Sequence, residues 1–138
     1  MAERARFSVS VEQELLEQFD RLTRAEGFPT RSEAVKDCMH QRLVAKEWVS
    51  GKEVAGAVGL VYDHHRRALV GRLMDIQHDF GKIIVSTQHI HLDHDNCLEL
   101  VVVKGKAREI RDLVSRFKSV KGLKHHALMM STMGKESG

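Results

Sequence analysis

The hydrophobic period of this chain changes once, at Ser50-Gly51-Lys52. Before that point apolar residues recur mainly at helical spacing. After it, apolar runs of strand length alternate with helical segments. The change predicts two modules, residues 1–50 and 53–131, with residues 132–138 as a flexible tail.

The first module opens with Phe7, Val9 and Val11 alternating with Arg6, Ser8 and Ser10, the two-residue period of a strand with one apolar face. Nothing nearby offers a hairpin partner, so the strand is expected to pair with its own copy in a second chain. Ser10 with Gln13 fits a capping box, and Leu15, Leu16, Phe19 and Leu22 make the apolar stripe of a helix. Gly27 is placed to cap that helix, and Phe28-Pro29 continues the turn. Thr30 with Glu33 opens a second amphipathic helix through Ala34, Val35, Cys38, Met39 and Leu43, running to about Trp48. A strand–helix–helix unit of this size is too small to bury a good core alone. Two copies can do so by pairing strands and interlocking helices.

The second module reads as strand Val54–Tyr62, helix His65–His78, strand Lys82–His91, polar turn Leu92–Asn96, strand Cys97–Lys104, helix Ala107–Lys118 and strand Gly122–Met130. Leu69, Leu73 and Ile76 face inward on the first helix; Ile110, Leu113, Val114 and Phe117 do so on the second. The order βαββαβ predicts a ferredoxin-like domain and an α+β protein. No internal repeat is visible.

Composition narrows the function. A hydrophobic fraction of 42% and a single proline fit ordered structure. No apolar run is long enough to cross a membrane, and MAERARFSVS lacks the apolar stretch of a secretory leader, so a cytoplasmic protein is expected. There Cys38 and Cys97 are expected as free thiols or metal ligands rather than a disulfide. The net charge of +3 hints at an anionic partner. However, residues 1–50 hold 8 Lys+Arg against 9 Asp+Glu, and residues 51–138 hold 14 against 10. Placement, not bulk charge, must carry any case for DNA.

Histidine is the unusual residue: there are nine, most of them between His64 and His126. In His89-Ile90-His91 the two imidazoles are two residues apart on a strand and share a face. Cys97 starts the next strand after a five-residue turn, so a hairpin brings its sulfur close to them. Two nitrogens and a thiolate suit Ni(II), Cu(II), Zn(II) or Co(II) and not Mg or Ca. H-x-H alone fits a solvated strand face better than a metal site; the neighbouring thiol and the other histidines favour a metal. A fourth ligand is missing from the hairpin. His78 is one candidate, and His64, His65, His94, His125 and His126 compete with it; spacing does not choose. A metallo-hydrolase is the enzymatic alternative. It requires an open metal position and a general base, for which Glu99 or Asp95 is available.

Three segments carry a resemblance to a known family: TRSEAVKD, LVYDHHRRALVGRLMDIQHDF and STQHIHLDHDNCLELVVVKG. Together they resemble the nickel-responsive ribbon-helix-helix regulators (NikR) over nearly the whole chain. The resemblance implies a transcription regulator and not an enzyme. It implies one Ni(II) per chain, held square-planar by His89, His91, Cys97 and His78 of a neighbouring chain, with Tyr62 and Glu99 supporting the ligands. It implies a homotetramer, a dimer of dimers with the regulatory domains at the centre. The partner implied is a palindromic double-stranded DNA operator, with Arg6, Ser8 and Ser10 in the major groove and Arg66 and Arg67 on the backbone. In some members the positions of Glu33 and Asp37 hold a structural cation. Nickel is expected to order residues 66–81, to raise DNA affinity by linkage, to bind less tightly in acid and to repress nickel-uptake genes.

This chain departs from the family in its MAERA arm and in the serines of its reading face. The histidine-rich run of some relatives is reduced to His78-Asp79, which argues against extra low-affinity sites there. A regulator of the same build sensing copper, cobalt or zinc is the nearest alternative. An antitoxin-like dimer is another, against which a regulatory domain of about ninety residues argues.

Overall fold

The computed structural model describes residues 2–135. The chain forms two compact units, one ending at Leu43 and the other running from Val44 to Lys135.

The first unit is helical. Helix α1 spans Gln13–Ala25 and α2 starts at Arg31, running to Glu47. The expected Ser10–Gln13 capping box does not form. Glu12 precedes α1 without a side-chain cap, and the Gln13 amide instead donates to Glu17, one turn on, at 3.1 Å. The far end of α1 closes as expected. Gly27 takes φ +87°, Gly27 N–H donates to Arg24 C=O and Phe28 N–H to Thr23 C=O, both at 3.1 Å. This six-to-one and five-to-two pair is the Schellman arrangement, which needs a residue free to adopt positive φ. At the start of α2 the Thr30 hydroxyl accepts the Glu33 N–H at 3.1 Å, while the Glu33 carboxylate pairs with Lys36. Arg31 grips Asp20 with two hydrogen bonds, of 3.0 and 2.7 Å, which hold the Asp20 carboxyl below its ordinary range.

The expected strand at residues 6–11 is not formed. These residues carry no helix or strand, and Phe7, Val9 and Val11 are exposed. A strand is held by hydrogen bonds to a neighbour, and among the described residues no strand pairs with this segment. Cys38, Met39 and Leu43 on α2 are likewise exposed.

The second unit contains β1 (Glu53–Asp63), α3 (Arg67–Asp79), β2 (Ile84–His91), β3 (Asn96–Lys106), α4 (Ala107–Lys118) and β4 (His125–Met130). The strands form one antiparallel sheet in the order β2-β3-β1-β4. With two helices interleaved, this is the ferredoxin-like order. Val58, Leu60 and Tyr62 of β1 and Val101 and Val103 of β3 share a core with Leu73 and Ile76 of α3 and Ile110, Leu113 and Phe117 of α4.

Several boundaries differ from expectation, and three of the starts have a visible local cause. Helix α3 begins at Arg67 rather than His65, because residues 63–66 form a turn in which Asp63 accepts the His65 and Arg66 N–H groups. Strand β2 begins at Ile84, after a turn that closes from Ile83 N–H to Phe80 C=O. Strand β4 begins at His125, because Gly122 turns the chain at φ +93°; the space a side chain would need there is filled by the Arg66 guanidinium.

The second unit reaches back past Ser50-Gly51-Lys52 to Val44 because Trp48 is anchored in it. Trp48 is buried, its indole N–H donates to Ser131 C=O at 2.9 Å, and Arg111 lies over its ring. Gly56 makes room for this ring: a Cβ there would stand 2.5 Å from Met129 O and 3.3 Å from the indole. Both expected free cysteines are free, Cys97 buried and Cys38 exposed.

Candidate metal centre

The β2–β3 register places the donors. His91 pairs with Cys97 and His89 with Glu99, and directly opposed residues of antiparallel strands project to the same face. One strand further in, Tyr62 pairs with Cys97 and Leu60 with Glu99. His89, His91, Cys97, Glu99 and Tyr62 thus share the helix-covered face, with the two histidines on the edge strand.

A register shift between Ile84 and Ser86 makes this compatible with packing. Ile84 pairs with Val103 and His89 with Glu99, so both face the helices despite their odd separation. Without that extra residue, the two-residue period would send either the core residue or the imidazole pair to the other face.

Glu99 organises the back of the centre. It is 1% exposed, and its carboxylate accepts hydrogen bonds from the Tyr62 hydroxyl and the Gln77 amide. Gln77 in turn accepts from the Thr87 hydroxyl at 3.0 Å. His89 Nδ1 lies 3.5 Å from Glu99 Oε1. Burial, and then the hydrogen bond and the charge of Glu99, push the Tyr62 phenol far above its ordinary range, so it stays a neutral donor. These contacts tie α3, β1, β2 and β3 together directly behind the donors. Gln77 and Thr87 escaped the sequence reading. The signal was a glutamine four residues beyond Leu73 on an otherwise apolar stripe.

The other histidines sort by position. His125 and His126 lie on β4, the edge opposite β2, and are removed from the hairpin. His64, His65 and His94 lie beside it. The His91 ring stacks on His64 at 4.7 Å, and both His64 Nε2 and His65 Nε2 stand within 3.1 Å of the His94 carbonyl. His78 is exposed near the end of α3 and lines a separate depression with Phe80, Lys82 and Glu109. Among the described residues, the donors of His89, His91 and Cys97 do not draw within 4.8 Å of one another; the group that does is His65, His94 and Asp95.

Arg6, Ser8 and Ser10 are exposed in the segment before α1, and Arg66 and Arg67 are exposed at the start of α3. Asp37 is taken up by its own helix, accepting from Gln41 at 2.7 Å, as Glu33 is by Lys36.

Two imidazoles and a thiol beside a buried, doubly hydrogen-bonded carboxylate suit a borderline transition ion. Joined to a small helical unit whose arginine- and serine-bearing arm forms no helix or strand, they define a class: DNA-binding regulators governed by a metal. Comparison with known proteins makes the class specific. Residues 5–46 match the ribbon-helix-helix protein family of copG type, and residues 55–131 match the NikR C terminal nickel binding domain. A protein of Syntrophus aciditrophicus named "Putative nickel-responsive regulator" is 49% identical over 134 residues, covering 97% of this chain and 98% of the relative. Proteins of the same name from Chlorobaculum tepidum and Thermococcus kodakarensis are 50% and 47% identical, covering 96% and 95% of this chain and 98% and 96% of the relatives. Among solved structures, an uncharacterized protein from Thermotoga maritima aligns with a TM-score of 0.52 at 13% identity, over 56% of this chain and 96% of that one. It supports the fold alone. The chain belongs to the family of nickel-responsive ribbon-helix-helix regulators, a family of transcription regulators and not of enzymes.

Proposed function

We propose that this chain is a nickel-responsive transcription factor whose β2–β3 hairpin is the sensor and whose N-terminal arm contacts DNA. His89, His91 and Cys97 are assigned as nickel ligands, with His78 of a second copy as the fourth, one nickel per chain. The cross-strand register that sets His89 and His91 opposite Glu99 and Cys97 carries this reading. The carboxylate on that face, Glu99, is already engaged by Tyr62 and Gln77, which favours a fourth ligand from outside the chain. Three nitrogens and one thiolate in a plane suit d⁸ Ni(II), whereas Zn(II) favours a tetrahedron. Glu99 orients His89 through Nδ1, which leaves Nε2 as its ligand nitrogen. Sharing His78 between copies couples nickel to assembly, here a homotetramer built as a dimer of dimers.

In that assembly the arms of two chains pair as a ribbon and present Arg6, Ser8 and Ser10 to the major groove of a palindromic operator. Arg66 and Arg67, at the N-terminal end of α3, contact the phosphate backbone. Gln77 joins α3 to the Glu99 network, which gives a physical link between the hairpin and those arginines. On the family resemblance, Glu33 and Asp37 hold a structural cation by releasing Lys36 and Gln41. The output is repression of nickel-uptake genes in the cytoplasm. No helix of the described residues is long and apolar enough to cross a membrane.

The test titrates apoprotein with Ni(II) while following near-ultraviolet absorption and oligomeric mass. A thiolate-to-nickel band that saturates at one ion per chain in a tetramer is expected. The Cys97→Ala variant is expected to lose that band and nickel-dependent DNA binding together. A Cys97→Ala protein that keeps both overturns the assignment.

A further inference from the structure

We infer that His64 is a positioning residue for His91: its ring holds the plane of that imidazole by stacking, so that His91 meets nickel already oriented. This role rests on the reading of His91 as a nickel ligand and adds a residue to which that reading gives no part.

His89 and His91 are held in different ways. His89 faces the Glu99 carboxylate, 3.5 Å from Nδ1. A metal-bound histidine usually has its second ring nitrogen fixed by such a partner. His91 lies nearer the hairpin tip on the edge strand and is exposed, and among the described residues no hydrogen bond or ion pair reaches its ring. What lies against it is His64, with the centroids 4.7 Å apart and the planes 16° from parallel. Ring pairs stacked at this separation attract each other beyond the area they bury. A side chain that is free to rotate loses that freedom when it binds, whereas a stacked ring has lost part of it beforehand.

His64 can serve as a wall because it is itself pinned. It sits in the turn after β1, half-buried, and its backbone N–H donates to the Asp95 carbonyl at 3.2 Å. Its Nε2 stands 2.9 Å from the His94 carbonyl. A carbonyl only accepts, so Nε2 carries the proton and donates it. That commitment withholds Nε2 from a metal and makes His64 a support for the ligand, not a ligand. The His65 ring packs against it as well, with centroids 4.1 Å apart.

Three variants of the full chain separate the ring from its hydrogen bond. His64→Phe keeps a ring and lacks the Nε2 donor; His64→Gln keeps an amide donor and lacks the ring; His64→Ala lacks both. In metal-free protein, proton NMR reads the stack directly, because a ring lying over His91 moves its imidazole protons upfield. The upfield position is expected in wild type and His64→Phe and is expected to be lost in His64→Gln and His64→Ala. In nickel-loaded protein, decay of the thiolate-to-nickel band in excess EDTA reads release of the ion. Release is expected to quicken roughly tenfold in His64→Gln and His64→Ala and to stay near wild type in His64→Phe. The proposal is overturned if His64→Ala matches wild type in both readouts, if His64→Gln releases nickel as slowly as wild type, or if His64→Phe releases it as fast as His64→Ala. A wild type that forms no band fails the nickel reading itself, while the ring shift still decides whether His64 holds His91.

Discussion

A carboxylate as buried as Glu99 costs several kcal/mol unless its lone pairs are satisfied. Two neutral donors, Tyr62 and Gln77, satisfy them. Tyr62 makes this arrangement measurable, because it is the only tyrosine in the chain. Its folded pKa is raised, so the folded state holds the phenol proton more tightly than the unfolded chain, where tyrosine ionises near pH ~10. The stability this contributes is fully present below pH ~10 and is lost as pH rises above it. In an alkaline titration, phenolate absorbance is expected to rise together with the loss of native circular dichroism. Phenolate that forms near pH ~10 in a still-folded protein contradicts the role given to Glu99. At this scale the sequence was partly legible. His89, His91 and Cys97 stand out as candidate ligands by residue type and spacing, whereas Glu99 enters only as an available general base and through the family resemblance. Gln77 does not, because its partner lies 22 residues away and only the folded sheet brings the two together.

The β2–β3 hairpin is the element on which the proposed nickel site depends, and its turn rests on Asp93. Side-chain and backbone hydrogen bonds from Asn96, then the backbone N–H of Asp95, hold the Asp93 carboxyl below its usual range, with Lys124 adding a smaller favourable charge. A depressed carboxyl pKa gives stability that is present above the unfolded value of about 4 and is lost as pH falls through the folded one. Amide exchange of Asp95 and Asn96 is therefore expected to be slow at neutral pH and to lose its protection in acid. Asp93→Ala is expected to remove that protection at neutral pH as well and to weaken nickel binding through the splayed hairpin. Unchanged exchange in Asp93→Ala would mean that the strands alone fix the turn. Element types in the second unit followed the alternation of apolar runs closely, while their ends did not. The ends at Arg67, Ile84 and His125 were set by Asp63, the Phe80–Ile83 turn and Gly122, local chemistry that hydrophobic period does not register. The β2 register shift was invisible for the same reason.

For the whole molecule, the decisive observation is apolar surface left over in the helical unit. Phe7, Val9, Val11, Leu15, Leu22, Met39 and Leu43 are all between 46% and 67% exposed. Scattered exposed leucines need no explanation, but seven large apolar residues in the first 43 exceed what a stable monomeric unit shows. Fully burying one such side chain is worth roughly 1.5–3 kcal/mol, enough in sum to offset the ordering of an arm that has no strand partner in its own chain. The expected solution is a second copy, with arms paired and the stripes of α1 and α2 interlocked. Such pairing would explain why the alternation at Phe7–Val11 is plain in the sequence yet produces no strand in one chain. Leu22→Asp places a charge on this face without touching the hairpin. It is expected to cost on the order of 3 kcal/mol of association, about a hundredfold in the dimer dissociation constant, and to abolish operator binding. Sedimentation equilibrium across a range of protein concentrations reads the first effect, and the nickel–thiolate band serves as the internal control. If Leu22→Asp leaves both mass and operator binding unchanged, the exposed stripe is not the interface, and the arm must be ordered by DNA itself.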